Sequence, residues 1–81
     1  MPVRSRSPLP PRPMTAREIV QRLERLGFRR VSQRGSHLKL RRERGGTTYT
    51  VIVPMHGKDI AVSVVGRILQ QAGLEWSEFD A

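Results

Sequence analysis

Residues 36–53, SHLKLRRERGGTTYTVIV, contain the pattern that decides the fold. From Ser36 to Glu43, apolar and charged residues alternate, which is the period of a strand with one covered and one open face. Thr47 to Val53 is rich in β-branched residues and favours a neighbouring strand. The glycine pair between the two runs supplies a turn, so the stretch predicts a β-hairpin.

The alternation also sorts the hairpin side chains onto two faces of the sheet. The apolar face is predicted to hold Leu38, Leu40, Tyr49, Val51 and Val53. The opposite face receives His37, Lys39 and Arg41. One face therefore belongs in the core, and the other is predicted to be an open, basic surface.

A helix and a first strand are predicted before the hairpin. Thr15 and Glu18 match a capping box, and Gly27 is suited to end the helix in a left-handed conformation. Apolar residues recur between them at helical spacing, at Ile19, Val20, Leu23 and Leu26. Phe28 to Gln33 is short and favours an extended chain, but its pattern does not show which side chains face the core.

After the hairpin, Met55 to Ile60 is predicted as a loop and Ser63 as the cap of a second helix. That helix presents an apolar face made of Val64, Val65, Ile68 and Leu69. Gly73 stands where the helix is expected to end. Trp76 and Phe79 have a spacing that suits one more turn, packed on the domain or on a partner.

The resulting order is helix, three strands, helix, which predicts an α+β domain over residues 14–81. Its three-stranded antiparallel sheet should have both helices on one face. Residues 1–13, MPVRSRSPLPPRP, are rich in proline and arginine and are predicted to be a disordered extension. An alternative is that this segment lies upstream of a true start at Met14.

Fifteen basic against seven acidic residues give a formal charge of +8. Such a charge favours a polyanionic partner, most simply a nucleic acid, although solubility alone would also explain it. The absence of cysteine fits a reducing, cytoplasmic setting. No run approaches the ~18 apolar residues of a membrane span, and residues 1–13 lack the apolar stretch of a secretory signal, so neither is predicted.

His37 is the residue best suited to chemistry. An imidazole has an unperturbed pKa of ~6.5 and can exchange protons near neutral pH. Cleaving RNA without a metal requires such a group and positive charge beside the phosphate. The residues alone favour a plain phosphate contact or a solvated side chain at His37 over catalysis, and His56 is interpreted as a turn residue.

Other chemistries find less support in the sequence. Two histidines without cysteine make a zinc site improbable, and the acidic residues are scattered rather than paired for magnesium. No phosphate-binding loop of the P-loop type is present. The sequence therefore predicts neither a metal nor a small-molecule cofactor.

Four stretches of the chain form a recognisable series: Leu26-Gly27-Phe28, Arg34-Gly35-Ser36-His37, Val53 to Ile60 and Ile68 to Leu74. In the order and spacing of these stretches the chain resembles the HicA toxins of HicAB toxin–antitoxin modules. The resemblance implies a fold like that of double-stranded-RNA-binding domains and ribosome-independent cleavage of mRNA that arrests translation; that this cleavage needs no metal is our hypothesis from the residues. The resemblance also implies neutralisation by a HicB-like antitoxin that covers the active face.

By this resemblance the catalytic histidine falls on His37, and Gly35 and Ser36 set the entry into its strand. The predicted RNA contacts are Ser36, Lys39, Arg41, Arg42, Arg34 and Lys58. Lys39 is inferred from the face it shares with His37 and not from the family. Where similar proteins often have Gly-Thr at the last helix, this chain has Ser63-Val64.

Two other functions stay open from the sequence. A domain of this kind can bind RNA through backbone and 2′-OH contacts without cutting it. The basic face can also dock an acidic protein.

Overall fold

The computed structural model describes residues 10–81. The elements are α1 (Ala16–Arg25), β1 (Arg29–Arg34), β2 (His37–Arg44), β3 (Thr47–Pro54), α2 (Val62–Ala72) and α3 (Trp76–Phe79). The strands form one antiparallel sheet in the order β1-β2-β3. The predicted α+β class and element order are confirmed. Within the described residues, no helix has the length and apolar character needed to pass through a bilayer.

Helix α1 begins and ends at the predicted signals. The Glu18 amide donates to the Thr15 hydroxyl at 3.1 Å, and the Thr15 amide donates to the Glu18 carboxylate at 3.0 Å. This reciprocal pair satisfies amides that have no partner within the helix. Gly27 adopts a φ of 99° just after the helix, which a residue with a side chain rarely tolerates.

The hairpin has the predicted faces. Leu38 lies opposite Val53 and Leu40 opposite Val51, and all four are buried. They form one core with apolar residues of both helices, including Ile19, Val20, Leu23, Val65, Ile68 and Leu69. Both helices therefore cover the same face of the sheet, and no helix or strand within residues 10–81 covers the opposite face.

Strand β1 is shifted by one residue from its prediction, since it spans Arg29–Arg34 and Phe28 is buried just before it. The pairing with β2 shifts between Arg30 and Ser32, which leaves Val31 as an extra residue opposite no partner. Such a bulge breaks the alternation of faces along the strand. Periodicity therefore could not show which β1 side chains lie on which face of the sheet.

The predicted cap of α2 at Ser63 is wrong. The helix begins at Val62 with Ala61 as its cap, and no side chain bonds to the free amides there. A backbone bridge between Met14 and Ile60 holds the chain immediately before this point. The helix starts as soon as the chain leaves that bridge, so Ser63 already lies in its first turn.

Gly73 ends α2 as predicted, with a left-handed φ of 69°. A Cβ at this position would lie 2.5 Å from Cε1 of Tyr49, so the ring also requires a glycine here.

The C-terminal turn packs on the domain rather than away from it. Phe79 is buried in the core, and Trp76 meets it edge-on with ring centroids 6.0 Å apart. Asp80 follows, and Arg12 donates two hydrogen bonds to its carboxylate at 2.8 and 3.1 Å, while Arg22 lies 3.3 Å away. Arg12 thus contacts the folded domain although the sequence placed the domain's start at Met14. The rest of the predicted extension, residues 1–9, lies outside the described residues.

The Asp80 cluster predicts a dependence of stability on acidity. Arg12 first, and Arg22 as well, hold the pKa of Asp80 below its ordinary value. A carboxylate with a lowered pKa stabilises the fold above its unfolded-state pKa, and this stabilisation is lost as the pH falls through the folded-state pKa. Asp80→Asn should therefore lower the free energy of unfolding by about 1–3 kcal/mol at neutral pH.

The difference between wild type and Asp80→Asn should shrink as the pH falls below about 4, because Asp80 then takes up a proton in the unfolded state before it does so in the folded state. Urea unfolding at several pH values from about 5 to 2 measures this difference. A difference that stays constant down to the lowest pH would contradict the proposed ion pairing.

Candidate nucleic-acid interface

The uncovered face of the sheet carries basic residues of β1 and β2. His37, Lys39 and Arg41 alternate with the buried leucines of β2 and so project from the open face. The register adds Arg29, Ser32 and Arg34 from β1 and Thr50, Ile52 and Pro54 from β3. Glu43 at the far end of β2 is the acidic residue of this face. We refer to this surface as the open face.

His37 stands at one end of the open face, as the first residue of β2. It pairs across the sheet with Arg34 on one side and Pro54 on the other. The tight turn before it uses Gly35 at a φ of 58°. The amide of Met55 donates to the carbonyl of Ser36, so the loop after β3 is tied to the turn before β2. Two of the segments that carry the family resemblance therefore meet beside an exposed imidazole.

A depression of about 740 Å³ lies beside His37. It is lined by Ser32, Gln33, Arg34, His37, Lys39 and Ile52. No acidic side chain is among these residues, while Arg34 and Lys39 bring positive charge. A site of this volume and charge suits an anionic ligand, and its exposed imidazole can exchange a proton with that ligand.

Arg41 lies further along the open face and is partly oriented by its neighbour on β3, since its Nε donates to the Thr50 hydroxyl at 3.4 Å. Ser36 and Lys58 are exposed in the two segments that the Met55 bond joins. His56 lies in the same loop, where its Nδ1 accepts from the Lys58 amide at 3.3 Å. That bond supports its interpretation as a turn residue.

Arg42 does not belong to the open face, and its prediction as a phosphate contact is corrected. As the neighbour of Arg41 it points to the helix-covered side, where its Nη1 donates to the carbonyl of Leu26 at 2.7 Å. Its guanidinium lies over the Phe28 ring, 4.8 Å from the centroid. Arg42 therefore fastens the end of α1 to the sheet.

Sequence reasoning overlooked several residues of this face. Ile52 lies between buried Val51 and Val53, and the alternation of β3 would have identified it as exposed. Arg29 and Val31 depend on the bulge in β1, and no local signal in the sequence marks that bulge. Among residues 10–81, no group of three or more His, Asp or Glu side chains is arranged to hold a metal ion.

Comparison with known proteins gives one search without a match and one family match. A search of curated proteins finds no match to the chain. The family model described as the HicA toxin of bacterial toxin–antitoxin systems matches residues 16–74, from the start of α1 to just beyond α2. This match contains the whole sheet and its open face. A toxin of this kind acts together with a cognate antitoxin, and the chain belongs to the HicA toxin family.

Proposed function

We propose that this toxin is a metal-independent endoribonuclease that cuts mRNA and arrests translation, with His37 as its general acid or base. The observation that supports this function best is the exposed His37 ring in a depression with cationic walls. Because Arg34 and Lys39 line this depression, its positive charge attracts a phosphodiester. Family membership supports the same function.

The proposed reaction uses the ribose 2′-OH as the nucleophile. A base removes its proton, the oxygen attacks the adjacent phosphorus, and the 5′ oxygen of the next nucleotide leaves and takes a proton. His37 serves one of these two proton transfers. Because negative charge builds on the phosphate oxygens, nearby cations stabilise the transition state more than the ground state.

Arg34 and Lys39 are the cations closest to this step in the sheet, one opposite His37 and one two residues along β2. We assign them to the scissile phosphate. Arg41 lies further along and is assigned to a neighbouring phosphate. Ser36 and Lys58, exposed beside the turn, are proposed to contact RNA from that end.

The cognate antitoxin is proposed to be HicB-like and to act by covering the open face. An inhibitor on this face would both remove the RNA contacts and shield His37. The cations of the face suit an acidic surface on that partner.

The proposed nucleophile can be tested with two oligonucleotides of one sequence, incubated with the purified chain in excess EDTA. One is entirely deoxyribose, and the other carries ribose at a single position within the cleavage site. We expect cleavage only of the second, directly after the ribose, because only that sugar has a 2′-OH. Cleavage of the deoxy strand, or loss of all cleavage in EDTA with recovery in magnesium, would refute the mechanism.

A second function, RNA binding without cleavage, is favoured by the same cationic face, because phosphate attraction needs no proton transfer. It predicts retention of both oligonucleotides and no product from either.

A further inference from the structure

Beyond His37 the open face reaches a second depression, which extends to Arg42 on the helix-covered side. This one has a volume of about 500 Å³ and is lined by Gly27, Arg29, Val31, Arg41, Arg42 and Glu43. It lies toward the far end of β2, whereas the depression beside His37 lies at the near end. At about 3.3 Å per residue, the distance from His37 to Arg41 along the strand is about 13 Å.

The two depressions share one combination of side chains, an exposed aliphatic residue beside cations. Beside His37, Ile52 is 37% exposed and stands with Arg34 and Lys39. In the second depression, Val31 is 46% exposed and stands with Arg29 and Arg41. Each depression thus combines one exposed aliphatic side chain with at least two cations, and the second also has Arg42 and Glu43 in its lining. An aliphatic surface suits the face of a nucleobase, and the cations suit the phosphates on either side of it.

We propose that the open face binds one strand of RNA along β2, with unpaired nucleotides in both depressions and the scissile phosphate at His37. This inference rests on the proposed function, whose RNA substrate it specifies as single-stranded. It assigns Arg29, Val31 and Ile52 to RNA binding. The bulge at Val31 contributes directly, because it turns this side chain toward the second depression.

The construction of the depressions favours a single strand over a duplex. Bases in a duplex are stacked and paired, so they cannot rest on aliphatic side chains within separate depressions, whereas unpaired bases can. No aromatic residue lines either depression. Base contacts are therefore weak and sequence-tolerant, and most of the affinity comes from phosphates.

Glu43 sets the far end of this path. It lines the second depression beyond Arg41 and repels a further phosphate. Replacing Glu43 with glutamine should therefore tighten binding more for a strand that extends past Arg41 than for a strand that ends at the second depression.

The test uses the full chain and a 2′-O-methyl RNA strand, which binds but cannot be cut by 2′-OH attack. Affinity is measured by fluorescence anisotropy over a range of salt concentrations, for the single strand and for its duplex. Arg41→Gln and Arg29→Gln should each reduce the slope of log K against log salt by about 0.7, the value for one lost phosphate contact of a single strand. Arg67→Gln, the same charge change at an exposed position of α2, should leave the slope unchanged.

Val31→Asn should weaken binding of the single strand while leaving the slope unaltered, because it removes an apolar contact and no charge. Slopes for Arg29→Gln and Arg41→Gln that equal the slope for Arg67→Gln would overturn the inference, as would tighter binding of the duplex. The proposed function is scored separately, by cleavage of the ribose-containing strand. If the chain cuts that strand but the slopes do not change as expected, the proposed function stands and only the proposed RNA-binding path is wrong.

Discussion

Replacing His37 by alanine is expected to lower the rate of RNA cleavage by about 10²–10⁴-fold, the usual contribution of a positioned acid or base. The loss should appear in kcat, because the cations that bind RNA remain in place. Folding should be preserved, since the His37 side chain is exposed and contributes no core contact. Cleavage of a labelled transcript under single-turnover conditions measures the rate.

His56→Ala is the matched control for this prediction, as it removes the chain's other histidine. His56 does not line the depression at His37, and its Nδ1 is engaged by a backbone amide of its own loop. We expect this variant to keep most of its activity. Equal losses in the two variants would contradict a specific role for His37, and so would a His37→Ala variant that cuts at the wild-type rate.

Phe79→Ala should lower the free energy of unfolding by about 3–5 kcal/mol, the range for removing a buried phenylalanine. Phe79 is 2% exposed and packs with Trp76 against the core. A domain of this size is stabilised by only about 5–15 kcal/mol, so the variant should be partly unfolded near physiological temperature. This residue lies beyond the family match, which ends at residue 74.

Urea unfolding followed by circular dichroism measures this loss. Val62→Ala, an apolar truncation at a position that is 40% exposed, is the control and should change stability by less than about 1 kcal/mol. If Phe79→Ala unfolds at the wild-type urea concentration, the C-terminal turn is not part of the core. In that case the fold would depend on the family-matched segment alone.

The sequence was sufficient for those parts of the fold that local patterns specify. The alternation of β2 placed Leu38 and Leu40 in the core and His37 on the open face. The capping box at Thr15 and the glycine after α2 fixed helix ends because their effects act within a few residues. The position of His37 followed from the same alternation.

Other features depend on contacts between distant segments and had no local signal. The bridge from Met14 to Ile60 sets the start of α2, and the Arg12–Asp80 pair joins opposite ends of the domain. The bulge at Val31 is decided by pairing with β2 rather than by its own sequence. Arg42 could have been assigned correctly from the sequence, because the alternation of β2 places it on the opposite face of the sheet from Arg41.

Chemical rescue is the sharpest test of the claim that the His37 imidazole transfers a proton during RNA cleavage. His37→Ala leaves an open depression where free imidazole can take the place of the missing ring. We expect added imidazole to restore cleavage at the wild-type site, in proportion to its concentration. Cleavage that stays absent at every imidazole concentration, while the variant still binds RNA normally, would contradict the claim.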